Sequence, residues 1–377
     1  MSTKLRGTYA EINLEALRAN LRSLKSLLSS SNWICPMVKA NAYGHGDVPV
    51  SLALQEEGVD ALGVVLVEEG IHLRNHGVKG KILVFGVFDF YSAQECVNFQ
   101  LTPVLSTWNQ VKAFEETLSE QQKYSVHIKF NTGMNRLGFD VSEAGALKTY
   151  FQKTEKFLLS GICTHLALAE DWGSGGNTEQ QLAIFESTEK LFQENSLESH
   201  VLNSAAILLQ RGSQYGARPG IALYGANPMP HRTLEITLDP VMSMKSHIEI
   251  VRPIKKGERV SYGGTWVAEK DTVIGVVPIG YGDGLPRQAS NKASMLLGSV
   301  RVPVCGTICM DYTMVDLSSV AQKEKNLVGK ELLVFGRSKL GQVRAEEWAE
   351  QAGTISYEIT TKVSSRVPRI YYGERGT

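Results

Sequence analysis

Five chemically capable residues stand at or just beyond the ends of apolar, β-branched runs. They are Lys39 in VKANAYGHG, Arg136 in NTGMNRLGFD, His165 in GICTHLA, Ser204 beside Asn203 in HVLNSAA, and Arg218 in ARPGIALYG. A lysine amine can carry a proton or condense with a carbonyl compound, a guanidinium can grip carboxylate or phosphate, and a hydroxyl beside free backbone N–H groups can hold phosphate. Each alone has a plainer role. Lys39 could be a surface lysine with its stem packed along a strand end, His165 a hydrogen-bonded core histidine, and the Arg218-Pro219-Gly220 run an arginine capping a turn. Their common position, more than their type, points to chemistry.

The elements that must place them recur along the first part of the chain. Strand-like runs occur at 33–40, 61–67, 81–88, 102–107, 125–132, 158–167, 200–206 and 217–225, separated by amphipathic segments. The clearest of these segments, INLEALRANLRSLKSLL, puts Leu14, Leu17, Leu21, Leu24 and Leu28 on one helical face. Alternation of strand and helix implies parallel strands, and eight such units predict a (β/α)8 barrel of the TIM type over residues 1–240. After Asp239-Pro240 the pattern becomes short strands with turn signals, predicting a mainly β C-terminal domain at 241–377, with the opening residues of the chain as candidates to join it. Barrel enzymes assemble their sites at the C-terminal ends of the strands, so all five residues would converge on one mouth. The loops after strands seven and eight are the usual phosphate position in barrels, and here they offer Ser204 and the Gly220-Ile221 turn. A phosphate site with no Walker-type loop, facing a lysine, suggests pyridoxal 5'-phosphate held as a Schiff base.

Composition removes other classes. The chain of 377 residues carries 39 basic and 39 acidic residues, so no basic stripe of the kind nucleic acid requires is expected. No apolar run approaches the roughly 18 residues of a membrane span, and the start has no signal-peptide core, which predicts a soluble, cytoplasmic protein without membrane partners. Cys35, Cys96, Cys163, Cys305 and Cys309 are scattered and odd in number, and read as reduced thiols. No spacing suggests a metal site.

In order and roughly in spacing, VKANAYGHG, KFNTGMNRLGF, GICTHLA, NSAA, ARPGIALYG, VSYGGTW, IGYGDGLPR, CGTICMD and ISYE resemble the bacterial alanine racemases, barrel enzymes that use pyridoxal phosphate. The resemblance runs from residue 8 to about 372, and nine short motifs in order are far more specific than any one. It implies that Lys39 is the Schiff-base residue and that Tyr43, Ser204, Gly220, Ile221 and Tyr357 hold the phosphate. It further implies that Arg218 faces the pyridine nitrogen, that His165 lies against the ring, and that Arg136 contacts the substrate carboxylate. Racemisation needs a base on each face of the substrate, and the resemblance names Lys39 and Tyr262. Tyr262 would come with Met310 from the partner in a homodimer with shared sites. Without the other motifs Tyr262 reads as a strand aromatic packing beside Trp266.

An arginine at the pyridine nitrogen can only donate, which makes the cofactor a weaker electron sink and suits racemisation better than transamination. In some members the residue matching Lys129 is carbamylated. Glu170, Tyr281, Arg287 and Thr307 would line the corridor by which substrate enters; Glu170 and Thr307 depart from the aspartate and arginine usual there. The expected activity is interconversion of L- and D-alanine for peptidoglycan. The rival readings are a broad-spectrum amino-acid or serine racemase of the same fold, a barrel-type decarboxylase, and a non-catalytic pyridoxal phosphate carrier. The missing signal peptide opposes the first, the VSYGG and ISYE motifs the second, and the intact second domain the third.

Overall fold

A computed structural model describes residues 6–29, 32–119, 123–171, 175–192, 197–321 and 326–373. Seven strands, Ala61–Val64, Lys81–Val84, Thr102–Leu105, Tyr124–Asn131, Phe157–Cys163, Glu198–Leu202 and Gly216–Ala217, run parallel and adjacent in that order. The run at 33–38 closes the ring: Ile34 bridges to Ala217 on one side and Met37 to Gly63 on the other. The Cys35 N–H donates to Ala217 O at 2.8 Å and the Val38 N–H to Gly63 O at 2.8 Å. Pro36 has no N–H to give, so this stave pairs through isolated bridges instead of a continuous ladder. The result is the expected barrel.

Helices lie between successive staves. In the helix Leu14–Ser26, Asn13 accepts from the Glu15 and Ala16 N–H groups, and Leu14, Leu17, Leu21 and Leu24 are buried. Leu28 falls beyond the helix end but packs partly buried against the same core. The expected strands overrun at their C-terminal ends. The seventh stops at Leu202 because Asn203 caps a short helix, Ser204–Leu208, and the eighth is Gly216–Ala217 followed by a 3-10 turn, Ile221–Tyr224.

The C-terminal domain is mainly β. Its largest sheet includes Tyr9–Asn13, which lies antiparallel to Met242–His247 and parallel to Arg369–Tyr372, so the start of the chain is woven into it. A second sheet joins Ile250–Ile254, Thr272–Val277 and Thr313–Asp316. Two helices, Ala345–Ala352 and Ser356–Thr361, return to the barrel mouth, the first anchored by Trp348, whose indole donates to Val334 O at 2.8 Å. Among the described residues no helix is long and apolar enough to cross a membrane.

Candidate active site

Lys39 is held by an unusual local backbone. Ala40, Asn41, Ala42 and Tyr43 all have φ between 51° and 54°, a left-handed turn made without glycine. For L-residues that conformation costs about 1–2 kcal/mol each, so surrounding contacts must over-determine it. Glu69 accepts from the Ala40 N–H at 2.6 Å and from the Val65 and Leu66 N–H groups, and Asn41 Oδ1 accepts from the Asp47 N–H at 3.0 Å. Gly44, at φ 87°, ends the turn where a Cβ would meet Thr360 O at 2.0 Å, and its carbonyl accepts from Arg369. The Ala-Asn-Ala-Tyr run carries no sequence signal for such a turn.

The turn presents Lys39 and Tyr43 to a cavity of about 520 Å³ at the C-terminal mouth of the barrel. Lys129, Arg136, His165, Ser204, Arg218, Gly220, Ile221 and Tyr357 line the same cavity. Four cationic side chains thus share it, and among the described residues no carboxylate lines it. Burial lowers the Lys39 amine below its ordinary pKa, and the nearby Arg136 charge adds to the effect against a smaller opposing pull from Glu69. Burial brings Lys129 down to about 8, with Arg218, Arg136 and Lys39 pushing the same way. His165 is held well below its usual range by burial and by Arg218. Two lysines whose charge burial disfavours, in a cationic cavity, suit a carbonyl ligand that also carries phosphate or carboxylate.

Ser204 accepts from the Gly220 N–H at 2.9 Å and the Ala222 N–H at 3.3 Å. A Cβ at Gly220 would stand 2.5 Å from Tyr43 Oη, so glycine keeps a small polar cradle open among these three residues. Tyr43 stacks on Tyr224 at 4.9 Å between ring centroids and lies 6.1 Å from the Tyr357 ring. The cradle is of a kind that holds phosphate.

Arg218, buried, also lines the cavity. Its Nη1 donates to His200 Nδ1 at 2.6 Å and His200 O at 2.5 Å, and its Nη2 donates to Thr164 O at 2.6 Å. The guanidinium lies 5.7 Å from the Phe85 ring centroid. Phe85, Ala222, Glu69 and His200 were not singled out from sequence. The first two give no signal within apolar runs, and the roles of Glu69 and His200 depend on loops and strands distant in sequence.

The remaining expected residues gather elsewhere. Tyr262 is 73% exposed and Met310 52% exposed, on the β domain and away from the Lys39 cavity. Tyr281 and Met310 are neighbours, since the Tyr281 N–H donates to Cys309 O and the Gly282 N–H to Met310 O, both at 2.9 Å. Arg287 shares a shallow groove with Tyr281, and Glu170 is exposed on the barrel side. Thr307, expected on a corridor wall, is buried within the single chain, with its hydroxyl bonded to the Tyr262 carbonyl at 2.9 Å. A short β-branched hydroxyl folds back onto the neighbouring backbone where a long arginine could reach outward. Cys309 is half-buried, 3.3 Å from Ser261 Oγ; the other four cysteines are buried, and all five are free thiols.

A closed parallel barrel with a polar cavity at the carboxyl ends of its strands is the architecture of a (β/α)8 enzyme. The model of the alanine racemase N-terminal domain matches residues 12–228 and that of the C-terminal domain residues 241–371. The alanine racemase of Desulfovibrio desulfuricans is 37% identical over 371 residues, covering 97% of this chain and 98% of its own. That of Symbiobacterium thermophilum is 36% identical over 375 residues, with 98% of each chain covered. Among solved structures, the alanine racemase from E. faecalis superposes with a TM-score of 0.91 at 30% identity, covering 98% of this chain and 99% of that one. The alanine racemase of Clostridium difficile 630 gives 0.88 at 33% identity, covering 97% and 96%. The chain belongs to the alanine racemase family.

Proposed function

We propose that the protein interconverts L-alanine and D-alanine with pyridoxal 5'-phosphate held at Lys39, in a site completed by a second copy of the chain, and so supplies D-alanine for peptidoglycan in the cytoplasm. The observation that carries this reading is the pairing of a pKa-lowered lysine with a glycine-shaped cradle across one cationic cavity. The residues fit the cofactor. Ser204, Gly220, Ile221, Tyr43 and Tyr357 would hold its phosphate, Arg218 its ring nitrogen, and His165 would lie against its ring.

When bound, pyridoxal phosphate withdraws electrons from the substrate Cα and makes the Cα proton removable. The chain supplies everything else. Arg136 would fix the substrate carboxylate so that the Cα–H points at a base. Lys39, with its charge disfavoured by burial, takes or returns a proton at Nζ on one face. On the other face the proton would move at Oη of Tyr262 of the partner subunit, with the partner's Met310 walling the site. In a single chain Tyr262 and Met310 lie on an exposed surface away from the cavity, which supports a shared site. Arg218 never loses its charge, so the atom facing it must accept a hydrogen bond. Lys129, brought down to about 8, has the neutral fraction that carbamylation requires, and its carbamate would answer the charge of Arg136.

A small pocket discriminates each added side-chain group by about 1–3 kcal/mol. Racemisation of alanine, serine and lysine by the purified protein with added pyridoxal phosphate should therefore show kcat/KM highest for alanine. Equal values for lysine and alanine would favour a broad-spectrum racemase, and inactivity on all three would overturn the reading.

A further inference from the structure

The barrel core contains a line of polar side chains that the proposed reaction does not use. From Arg218 it passes to His200, whose Nδ1 lies 2.6 Å from Arg218 Nη1, then to His127, whose Nδ1 lies 2.8 Å from His200 Nε2. His127 Nε2 approaches Glu198 Oε2 at 3.1 Å, with the N–H off the line of a well-formed hydrogen bond. Both Glu198 oxygens lie 2.6 Å from Lys81 Nζ. His127 and His200 are wholly buried, whereas Glu198 and Lys81 begin their strands at the opposite end of the barrel and are partly exposed.

The fold makes room for this line. A Cβ at Gly161 would stand 2.4 Å from His127 Cε1, and one at Gly216 would stand 3.0 Å from His200 Cβ. Trp33 covers His200 at 4.8 Å between ring centroids, and Phe85 meets it edge-on at 6.1 Å.

The proton positions follow from chemistry. Arginine only donates, so His200 Nδ1 must be the acceptor and its proton sits on Nε2. His127 Nδ1 must then accept, which puts the His127 proton on Nε2, facing Glu198. Burial and the Arg218 charge disfavour protonation of His200, and burial disfavours protonation of His127, so both rings are neutral and each has one defined tautomer. Burial opposes ionisation of Glu198, but the close approach of His127 Nε2 and the hydrogen bonds from Lys81 outweigh it and favour the anionic carboxylate. Remove that charge and the alternative tautomer, with a proton on His200 Nδ1 against Arg218, loses one of its two penalties, the His127 Nε2 lone pair facing a carboxylate. The guanidinium fork would then meet a donor and have to turn.

We propose that Glu198, acting through His127 and His200, is a positioning residue that orients Arg218 toward the cofactor ring nitrogen. The inference rests on the assignment of Arg218 to that nitrogen.

The test uses holoenzyme loaded with pyridoxal phosphate labelled with nitrogen-15 in the ring, observed by NMR, alongside steady-state kinetics. Arg218→Lys is the control and should move the ring-nitrogen resonance. Glu198→Gln, a shape-conserving change at a partly exposed site, should move it in the same sense, toward an unbonded pyridine nitrogen. It should also lower kcat by about tenfold with KM for alanine held within about twofold, the scale of losing an outer partner of a liganding group. His127→Phe should reproduce both effects if it folds. A resonance and kcat unmoved by Glu198→Gln, while Arg218→Lys moves both, would mean that the line only packs the barrel. A resonance unmoved by Arg218→Lys would overturn the assignment of Arg218, and this inference with it.

Discussion

Thr307 Oγ1 donates to the carbonyl of Tyr262 at 2.9 Å, while Ser261 Oγ donates to the carbonyl of Thr307 at 2.6 Å. These two bonds clamp a turn whose first residue, Ser261, sits at φ 65° and ψ −176°, a region that non-glycine residues rarely occupy. The exposed Tyr262 ring therefore stands on a backbone held from beneath. Thr307→Val keeps the shape and removes the donor, so it should lower stability by about 1 kcal/mol and reduce turnover, whereas Thr307→Ser should retain both. Denaturant titration and racemisation rates check this. Equal loss in the serine variant would assign the effect to packing.

Gly220→Ala should release cofactor without unfolding the protein. Its Cβ would stand 2.5 Å from Tyr43 Oη, and Tyr43, stacked on Tyr224, has little room to retreat. A penalty near 1.4 kcal/mol weakens affinity about tenfold. Equilibrium dialysis with pyridoxal phosphate should show at least that loss, with far-ultraviolet circular dichroism unchanged.

Lys129 links stability to pH. Its pKa falls from the ordinary lysine value to about 8, mainly through burial. Between pH 8 and the unfolded value of about 10.4, the unfolded state binds more protons than the folded one, so stability rises with pH across that window. Below pH 8 the charged, buried amine costs up to about 3 kcal/mol. Lys129→Met should thus exceed the wild-type apoprotein in stability at pH 7 in buffer free of carbon dioxide, with the gap closing toward pH 10. A gap that stays flat with pH would show that another group neutralises the amine.

On the proposed assignment, in which Arg136 would hold the carboxylate, bases on opposite faces of the substrate could not exchange roles. In deuterated water, Tyr262→Phe should still exchange the Cα proton of D-alanine through Lys39, with racemisation and L-alanine exchange lost. Label entering L-alanine alone would reverse the assignment of the two bases.

How much of this was legible in the sequence depends on the range of each signal. Strand–helix alternation is local, so the barrel and its closing run at 33–38 could be read directly. Where the staves ended could not, because Asn203 stops its strand by capping a helix, and the Gly216–Ala217 strand stops at the residue before Arg218. Lys39, Ser204 and Arg218 stood out by type and position. The left-handed turn at Ala40–Tyr43 did not, because it is imposed by Glu69, Thr360 and Arg369 from elsewhere in the chain. The burial of Thr307 was hidden for the same reason. Its partner, the Tyr262 carbonyl, is 45 residues away.

In the proposed dimer one site takes Lys39 from one chain and Tyr262 from another. Mixing inactive Lys39→Ala and Tyr262→Phe proteins, with subunit exchange verified by a mass tag, tests it most directly. Each heterodimer should contain one site that is wild type at both positions, so racemase activity should return in proportion to the heterodimer formed. Verified heterodimers with no recovered activity would place both bases on the same chain and overturn the shared site.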